Sequence, residues 1–425
     1  MKMCRYVLAL IVLIIPCLIS CKKERQNEAL TVYFEDTSVV SALIERAINK
    51  YEEKSGITVK VEHLPIYASQ EEYDLFRDKQ RAEFMAGKGP DVYIKMGEFD
   101  KSIYKWMDAG LFIDFNELIN SDKSFSIEDY EQEVLKAGIY SNKQYIMPLT
   151  FSIPACVTTF DRLAKYGVTK RDFNGYEKFI DTTLMLQKND EKLIINYNGD
   201  GTLAFSGWIK EALDLNDKKL QMDTKIFDKA IQVLQNEYVL NQKDNGEQYY
   251  EITHIDDNEK GLFIIGESTQ SELAFLINAE DHIVELIPIP SCFGEKTAIV
   301  YQYCMISSFS NNIGNAWEFV KILLGDEYQK NIYKAGNGIG VSRAFVDYSI
   351  EQIVQSYSYF GVISEKNINQ MKSYYKEYDN AIIWAIDEGK IIYYSFYEYI
   401  HSNTQKDIRE VKKEVSNELN LWMSE

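Results

Sequence analysis

The sequence predicts an α/β protein built as two lobes, and three observations carry that expectation. A β-α-β-α-β series fills the stretch from Leu30 to Ile94, which implies a parallel, right-handed, doubly wound sheet. The length of 425 residues exceeds what one ordinary hydrophobic core accommodates, so a second lobe is expected. From Asp172 to Lys260, and again in the C-terminal tail, apolar residues recur at helical spacing and supply further helices.

The chain opens on a targeting segment. Lys2 and Arg5 give a positive start, and Tyr6 to Ile19 form an apolar run that contains Pro16 and falls short of the roughly 20 residues a spanning helix needs. Leu18-Ile19-Ser20-Cys21 resembles the bacterial lipobox, in which a small residue precedes a cysteine whose thiol carries a diacylglycerol. Residues 1–20 are therefore expected to be a lipoprotein signal peptide, Cys21 the lipidation site, and residues 21–29 a polar tether. Two or more acyl chains on one cysteine supply the stable anchoring that a single chain lacks. The protein is then expected outside the cytoplasm, held to the outer face of the cell membrane. The alternative is an ordinary secretory signal with a chance cysteine.

The first strand is read at Leu30-Thr31-Val32-Tyr33-Phe34. Ser38 to Lys54 follows as an amphipathic helix with Val39, Leu43, Ala47, Ile48 and Tyr51 on one face, stopped by Gly56. Ile57 to Glu62 is a second strand, Glu71 to Ala86 a second helix, and Val92-Tyr93-Ile94 the third strand. The junction before that third strand is explicit. Gly87 can take the positive φ that closes a helix, Gly89-Pro90 cannot continue it, and Asp91 can hydrogen-bond the turn amides. In a parallel sheet, ligands collect beyond the carboxyl ends of the strands, which singles out Glu35 and Asp36, Leu64 to Tyr67, and Met96-Gly97-Glu98. Further on, Phe205 to Leu215 and Lys225 to Tyr238 read as helices, with Leu220 to Thr224 as a short extended piece and helix cap between them. Tyr393 to Met423 reads as one long helical run, whereas Tyr348 to Tyr399 gives no clear boundaries.

Gly87-Lys88-Gly89-Pro90-Asp91-Val92, followed by Ala109-Gly110-Leu111-Phe112-Ile113-Asp114-Phe115, resembles the extracellular solute-binding proteins of ABC importers, the large family that includes the maltose-binding proteins. Further matches keep the family's order. Tyr145-Ile146-Met147-Pro148 with Thr158-Thr159-Phe160-Asp161 resembles the first crossing between lobes. Gly261 to Gly266 resembles the strand-containing segment before a ligand-facing loop. Leu286 to Pro290 resembles the second crossing, Ala316 to Lys321 with Glu327-Tyr328-Gln329 the late lobe helix, and Gly338 to Ser342 the third crossing. The resemblance implies a two-lobed periplasmic-binding-protein-like fold with three interlobe crossings. Lobe 1 is then expected over 30–148 and 290–345, and lobe 2 over 149–289 and 346–425, with the tail helix packed on the second lobe.

The resemblance also implies a ligand and partners. A small solute, most readily a carbohydrate, would be captured between the lobes and delivered to membrane permease subunits, by a monomer that needs no cofactor. Sugars present apolar C–H faces and a rim of hydroxyls, so their sites combine aromatic platforms with carboxylates and amides. Glu98 falls, by the Gly-Pro-Asp-Val register, where maltose-binding proteins carry an acidic sugar-contacting residue. Phe151 and Ser152 fall at the first crossing, where that family contributes a ligand contact. Ser268 occupies the place where many members stack a tryptophan, which departs from a maltodextrin site. Trp208, Tyr301 and Tyr303 are candidate replacements, and Glu35, Asp36 and Tyr67 complete the expected ligand-facing set.

Composition and motifs narrow the alternatives. A net charge of -19 argues against nucleic acid or an anionic membrane surface as a partner. His63, His254, His282 and His401 are scattered, with no metal-ligand spacing, and neither a nucleophile elbow nor a phosphate-binding loop is present. Of 6 cysteines, Cys156, Cys292 and Cys304 remain once Cys4, Cys17 and Cys21 are set aside; one Cys292–Cys304 bridge or three buried thiols both fit. No enzyme activity is expected. The rival readings are a surface carbohydrate-active enzyme and a sensor or adhesion lipoprotein on the same fold.

Overall fold

The computed structural model describes residues 29–35, 38–64, 69–96, 103–189, 194–196, 213–214, 219–220, 222–243, 261–266, 283–289, 296–336, 338–359, 361–383, 395–396, 398–400 and 407–424. In chain order the main elements are β1 (Leu30–Glu35), α1 (Ser38–Ser55), β2 (Val59–Leu64), α2 (Gln70–Met85), β3 (Val92–Met96), β4 (Met147–Pro148), β5 (Thr150–Ser152), β6 (Ala155–Thr159), α3 (Tyr176–Asn189), β7 (Ile194–Asn196) and α4 (Lys225–Lys243). There follow β8 (Gly261–Gly266), β9 (Val284–Pro288), β10 (Thr297–Val300), β11 (Gln302–Ile306), α5 (Ile313–Leu324), β12 (Ile339–Gly340), α6 (Val346–Tyr357), α7 (Glu365–Tyr374), β13 (Asn380–Ile383) and α8 (Ile408–Ser424).

Local chemistry sets the first lobe. In α1, Val40, Leu43, Ile44, Ala47, Ile48 and Tyr51 form a buried stripe at helical spacing. Burying each large side chain contributes roughly 1.5–3 kcal/mol relative to exposure. The Tyr51 ring meets Phe319 of α5 edge-on, with centroids 5.7 Å apart. Helix α2 starts in a capping box, in which Ser69 Oγ accepts from Glu72 N–H at 3.3 Å and the Glu72 carboxylate accepts from Ser69 N–H at 2.8 Å. Its carboxylate is held below the usual range by those Ser69 hydrogen bonds. The helix ends as expected at Gly87, whose φ is +68°.

The junction is tighter than the sequence suggests. A Cβ on Gly89, at φ +124°, would stand 2.6 Å from Tyr93 Oη, so only glycine fits there. Asp91 reaches beyond its own turn: its Oδ2 accepts from Thr31 N–H at 2.7 Å, its own N–H donates to Thr31 O at 2.8 Å, and its Oδ1 accepts from the Ser310 hydroxyl. It thus ties the start of β3 to the start of β1 and to the loop before α5.

Three larger sheets are formed among the described residues. The first has the order β2-β1-β3-β11-β4, with β1 parallel to both β2 and β3. The expected parallel series is present, but β11 and β4 join antiparallel because they are the segments entering and leaving the crossings. The second has the order β9-β6-β8-β7, with β6 antiparallel to both neighbours. Between them lies a sheet of order β12-β5-β10-β13. The first crossing runs β4, β5, β6 and the second β9, β10, β11, each passing through this central sheet. β12 sits in it at the third expected crossing. Gly338, just before β12, takes φ +102°, and a Cβ there would lie 2.3 Å from Phe151 O, so the third segment can approach the first only through glycine.

Two cores result. The larger runs from the first sheet through the central sheet to one face of the second, where Ala155 and Val157 of β6 and Val284 and Leu286 of β9 belong to it. Cys156, between Ala155 and Val157, and Ile287, next to Leu286, point to the other core with α3, α4 and α8, as the two-residue period of a strand requires. Phe396, Ile400, Val411, Val415 and Leu419 also lie in that second core. Val346, Ile350, Ile353, Met371 and Tyr374 of α6 and α7 lie in the larger one.

Several expectations change. Leu213-Asp214, read as the end of a helix, is a strand paired with Lys219-Leu220; its apolar run was too short for periodicity to separate the two. The cap before α4 is present, with Thr224 Oγ1 accepting from Phe227 N–H at 3.2 Å. In the tail expected as one helical run, residues 395–396 and 398–400 are helical, and α8 opens separately at Ile408, where Asp407 accepts from Arg409 N–H at 2.9 Å. Cys156 and Cys304 are free, buried thiols, so Cys304 forms no bridge, and burial pushes both thiols up.

Candidate functional site

The parallel strands β1, β2 and β3 deliver their carboxyl ends to one edge of the first sheet. Glu35 is opposite Leu64, and Met96 is opposite Gln302, where the second crossing enters the sheet. Glu35, Asp36, Tyr67 and Glu98 are at or just past the ends of these strands in sequence. Asp36, Tyr67, Glu98, Trp208, Ser268, the Glu35 side chain and Cys21 lie outside the described residues. The four described candidates are Phe151, Ser152, Tyr301 and Tyr303.

Phe151 and Ser152 occupy the first crossing, as expected, but both are wholly buried. The Phe151 ring packs against Tyr375 and Tyr378, with centroids 6.0 and 5.8 Å away. Ser152 Oγ is 3.3 Å from the Tyr375 hydroxyl, and either can donate. Their side chains are thus engaged inside the central sheet. Tyr303 is also wholly buried, facing Lys95 and Pro148 across β11. Tyr301 is half-buried just before β11, with its N–H on Thr150 O at 3.3 Å. Of the four, Tyr301 is the one that keeps surface at the crossing.

Lys95, the penultimate residue of β3, was missed. It is 5% exposed, and its ammonium lies 4.7 Å from the centroid of the Tyr33 ring. A buried cation costs free energy unless other groups stabilise it, and a ring face does so in part. The signal was available: Tyr93 and Lys95 alternate with Val92 and Ile94, and a strand buried on both faces must bury its lysine too. Also missed was Tyr378, whose hydroxyl donates to Glu131 Oε2 at 2.7 Å. Burial, then the Glu131 carboxylate, pushes that phenol far up, so it stays a neutral donor.

Among the described residues, no group of His, Cys, Asp and Glu could hold a metal ion. A surface pocket formed by α1 and residues 322–331 includes Arg46, Lys50 and Glu327, but none of the four described ligand candidates.

The sequence model of the family described as bacterial extracellular solute-binding protein matches residues 35–330, well over half of the chain. The chain belongs to that family. As a solute-binding protein it has the family's two lobes, and its fold is similar to several solved structures. One is a Streptococcus pneumoniae solute-binding protein in complex with the blood group A-trisaccharide, at TM-score 0.59 and 17% identity over 92% of this chain and 99% of that one. Another is an ABC substrate-binding protein from Listeria monocytogenes in complex with cycloalternan, at TM-score 0.56 and 13% identity over 92% and 99%. A third is an ABC transporter solute-binding protein from Thermotoga lettingae bound with α-D-tagatose, at TM-score 0.53 and 16% identity over 93% and 99%. At these identities the likeness concerns the fold. No curated protein sequence matches the chain. No helix among the described residues of this solute-binding protein is long and apolar enough to cross a membrane.

Proposed function

We propose that this solute-binding protein is the lipid-anchored receptor of an ABC importer, capturing a carbohydrate between its lobes and handing it to membrane permease subunits. The observation that supports this most is the central sheet: crossing segments connect two sheets, so a ligand bound between the lobes can draw them together by bending there. The carboxyl ends of β1, β2 and β3 converge beside the entry of the second crossing, where open α/β sheets bind ligands. The similar structures that carry a trisaccharide, cycloalternan and tagatose favour a sugar.

In this reading Cys21 carries the lipid and residues 21–29 form the tether, with the protein working as a monomer outside the cell membrane. Lobe 1 comprises 30–148 and 290–345, and lobe 2 comprises 149–289 and 346–425, within which α6, α7 and β13 pack with the larger core and the central sheet. The ligand is bound by Glu35, Asp36, Tyr67, Glu98, Trp208, Ser268 and Tyr301, while Phe151, Ser152 and Tyr303 support the crossing from within. The ligand leaves chemically unchanged. A thermal-shift screen with mono- and oligosaccharides tests the reading, because a ligand that binds only the folded state must raise Tm. No shift with any sugar, together with a shift from a peptide, would replace the carbohydrate by another solute. Release of cleaved sugar would make the protein an enzyme.

A further inference from the structure

The C-terminal end of α7 touches the crossings directly. Tyr374 donates its hydroxyl to Pro154 O at 2.9 Å, in the residue before β6. The Tyr375 hydroxyl accepts from Ile153 N–H at 3.3 Å and meets Ser152 Oγ at the same distance. Thus two adjacent tyrosines engage three consecutive residues of the first crossing. The second crossing is held by the same turn. Lys296, which leads into β10, donates its ammonium to Tyr374 O and stands 3.6 Å from the centroid of the Tyr374 ring. Its backbone is zipped to Asp379, with Lys296 N–H on Asp379 Oδ1 at 2.9 Å and Asp379 N–H on Lys296 O at 3.1 Å. Asp379 leads straight into β13, the strand that pairs in parallel with β10.

We infer that Tyr374, Tyr375, Lys296 and Asp379 form a clamp that makes the crossings pivot as one unit. Without it, the pairing of the two crossings, which runs from Met147–Cys304 through Tyr301 N–H on Thr150 O to Ser152–Ile299, ends at Ser152. Beyond that end, the chain between Ser152 and β6 is left to bend independently of the chain before β10. With it, residues 152–154 and Lys296 are both fastened to the end of α7, itself part of the larger core. The bend that moves one lobe against the other is then concentrated outside the clamp, and the orientation of the ligand-free lobes is narrowly set. Because a ligand selects among orientations already populated, the clamp also sets how much of the ligand-free protein is ready to bind.

The test uses the full chain with Tyr375→Phe and, separately, Lys296→Met; both substitutions keep the packing volume. Amide hydrogen exchange is read at Ile153, whose acceptor is the Tyr375 hydroxyl, with Met371 inside α7 as the reference. In parallel, spin labels at Glu53→Cys in α1 and Lys188→Cys in α3 report the distribution of inter-lobe distances, with Cys4, Cys17, Cys21 and Cys292 replaced by serine so that only the two buried thiols remain besides the labels. In Tyr375→Phe, Ile153 should exchange about tenfold faster while Met371 is unchanged, as expected for loss of one acceptor. In both variants the distance distribution should widen at temperatures far below Tm. Unchanged exchange at Ile153, or a distribution identical to that of the parent, overturns the clamp. Equal acceleration at Met371 also overturns it, because the hydroxyl would then serve only to hold α7 in place.

Discussion

Asp91 offers a sharp test of how the first lobe is assembled, and Asp91→Ala is the perturbation. The carboxylate is 8% exposed and accepts two hydrogen bonds, from Thr31 N–H at 2.7 Å and from the Ser310 hydroxyl. Hydrogen bonds to a charged partner contribute about 1.5–3 kcal/mol each, but the carboxylate itself is desolvated, so the net loss for the pair is set at about 2–3 kcal/mol. The backbone bonds Asp91 N–H to Thr31 O and Ser307 N–H to Asp91 O, at 2.8 and 3.0 Å, survive the substitution and limit the damage. For a cooperative unit of about 150–250 residues, each kcal/mol moves Tm by roughly 2–4 °C, which gives a fall of roughly 4–12 °C. Differential scanning calorimetry measures it. Asp91→Asn, which retains one oxygen acceptor, should recover part of the loss. Asp91 lies at the start of β3, roughly 16 Å from Met96 at the ligand edge, so affinity for any sugar that binds should not change. A Tm within about 1 °C of the parent would refute the reasoning.

Glu98→Ala should weaken sugar binding, measured by calorimetric titration, while the ligand-free Tm stays within about 1 °C; a large loss of ligand-free stability would make Glu98 structural. Asp122 should give the protein a defined acid sensitivity. Hydrogen bonds from Lys321 first, then Ser124 and Trp317, hold its carboxyl well below the usual range, so its contribution is present above about pH 4 and is lost as the pH falls further. Urea unfolding of Asp122→Asn should therefore show a constant deficit from neutral pH down to about pH 5 that narrows below about pH 4, and a deficit unchanged at low pH would contradict it. Cys156 and Cys304, buried and with raised thiol pKa, should resist a thiol reagent in the native protein and react after denaturation. Labelling of either on mixing would show that the cores open readily.

Much of the first lobe is legible in the sequence because its signals are local. The stripe of α1, the glycine that ends α2 and the apolar run of β3 each depend on residues within a few positions of one another. The order of the crossings was legible as well, through motifs that keep their sequence. Phe151 and Ser152 show the limit: their place at the first crossing was right, and their burial came from Tyr375 and Tyr378, more than two hundred residues later in the chain. β13 was missed for a related reason, since a short Asn-Ala-Ile-Ile run carries no pattern that says what covers it.

The sequence by itself determined the elements of the first lobe from β1 to β3, their order and the turn chemistry at Gly87 to Asp91, because backbone preference and periodic burial are written in neighbouring residues. Only the tertiary structure decided that Asp91 serves Thr31 and Ser310, that β12, β5, β10 and β13 form one central sheet, and that the end of α7 grips both crossings. Those contacts join groups far apart along the chain. Their energy exists only once folding has brought the partners within hydrogen-bonding distance, and no local pattern encodes which distant group will be there.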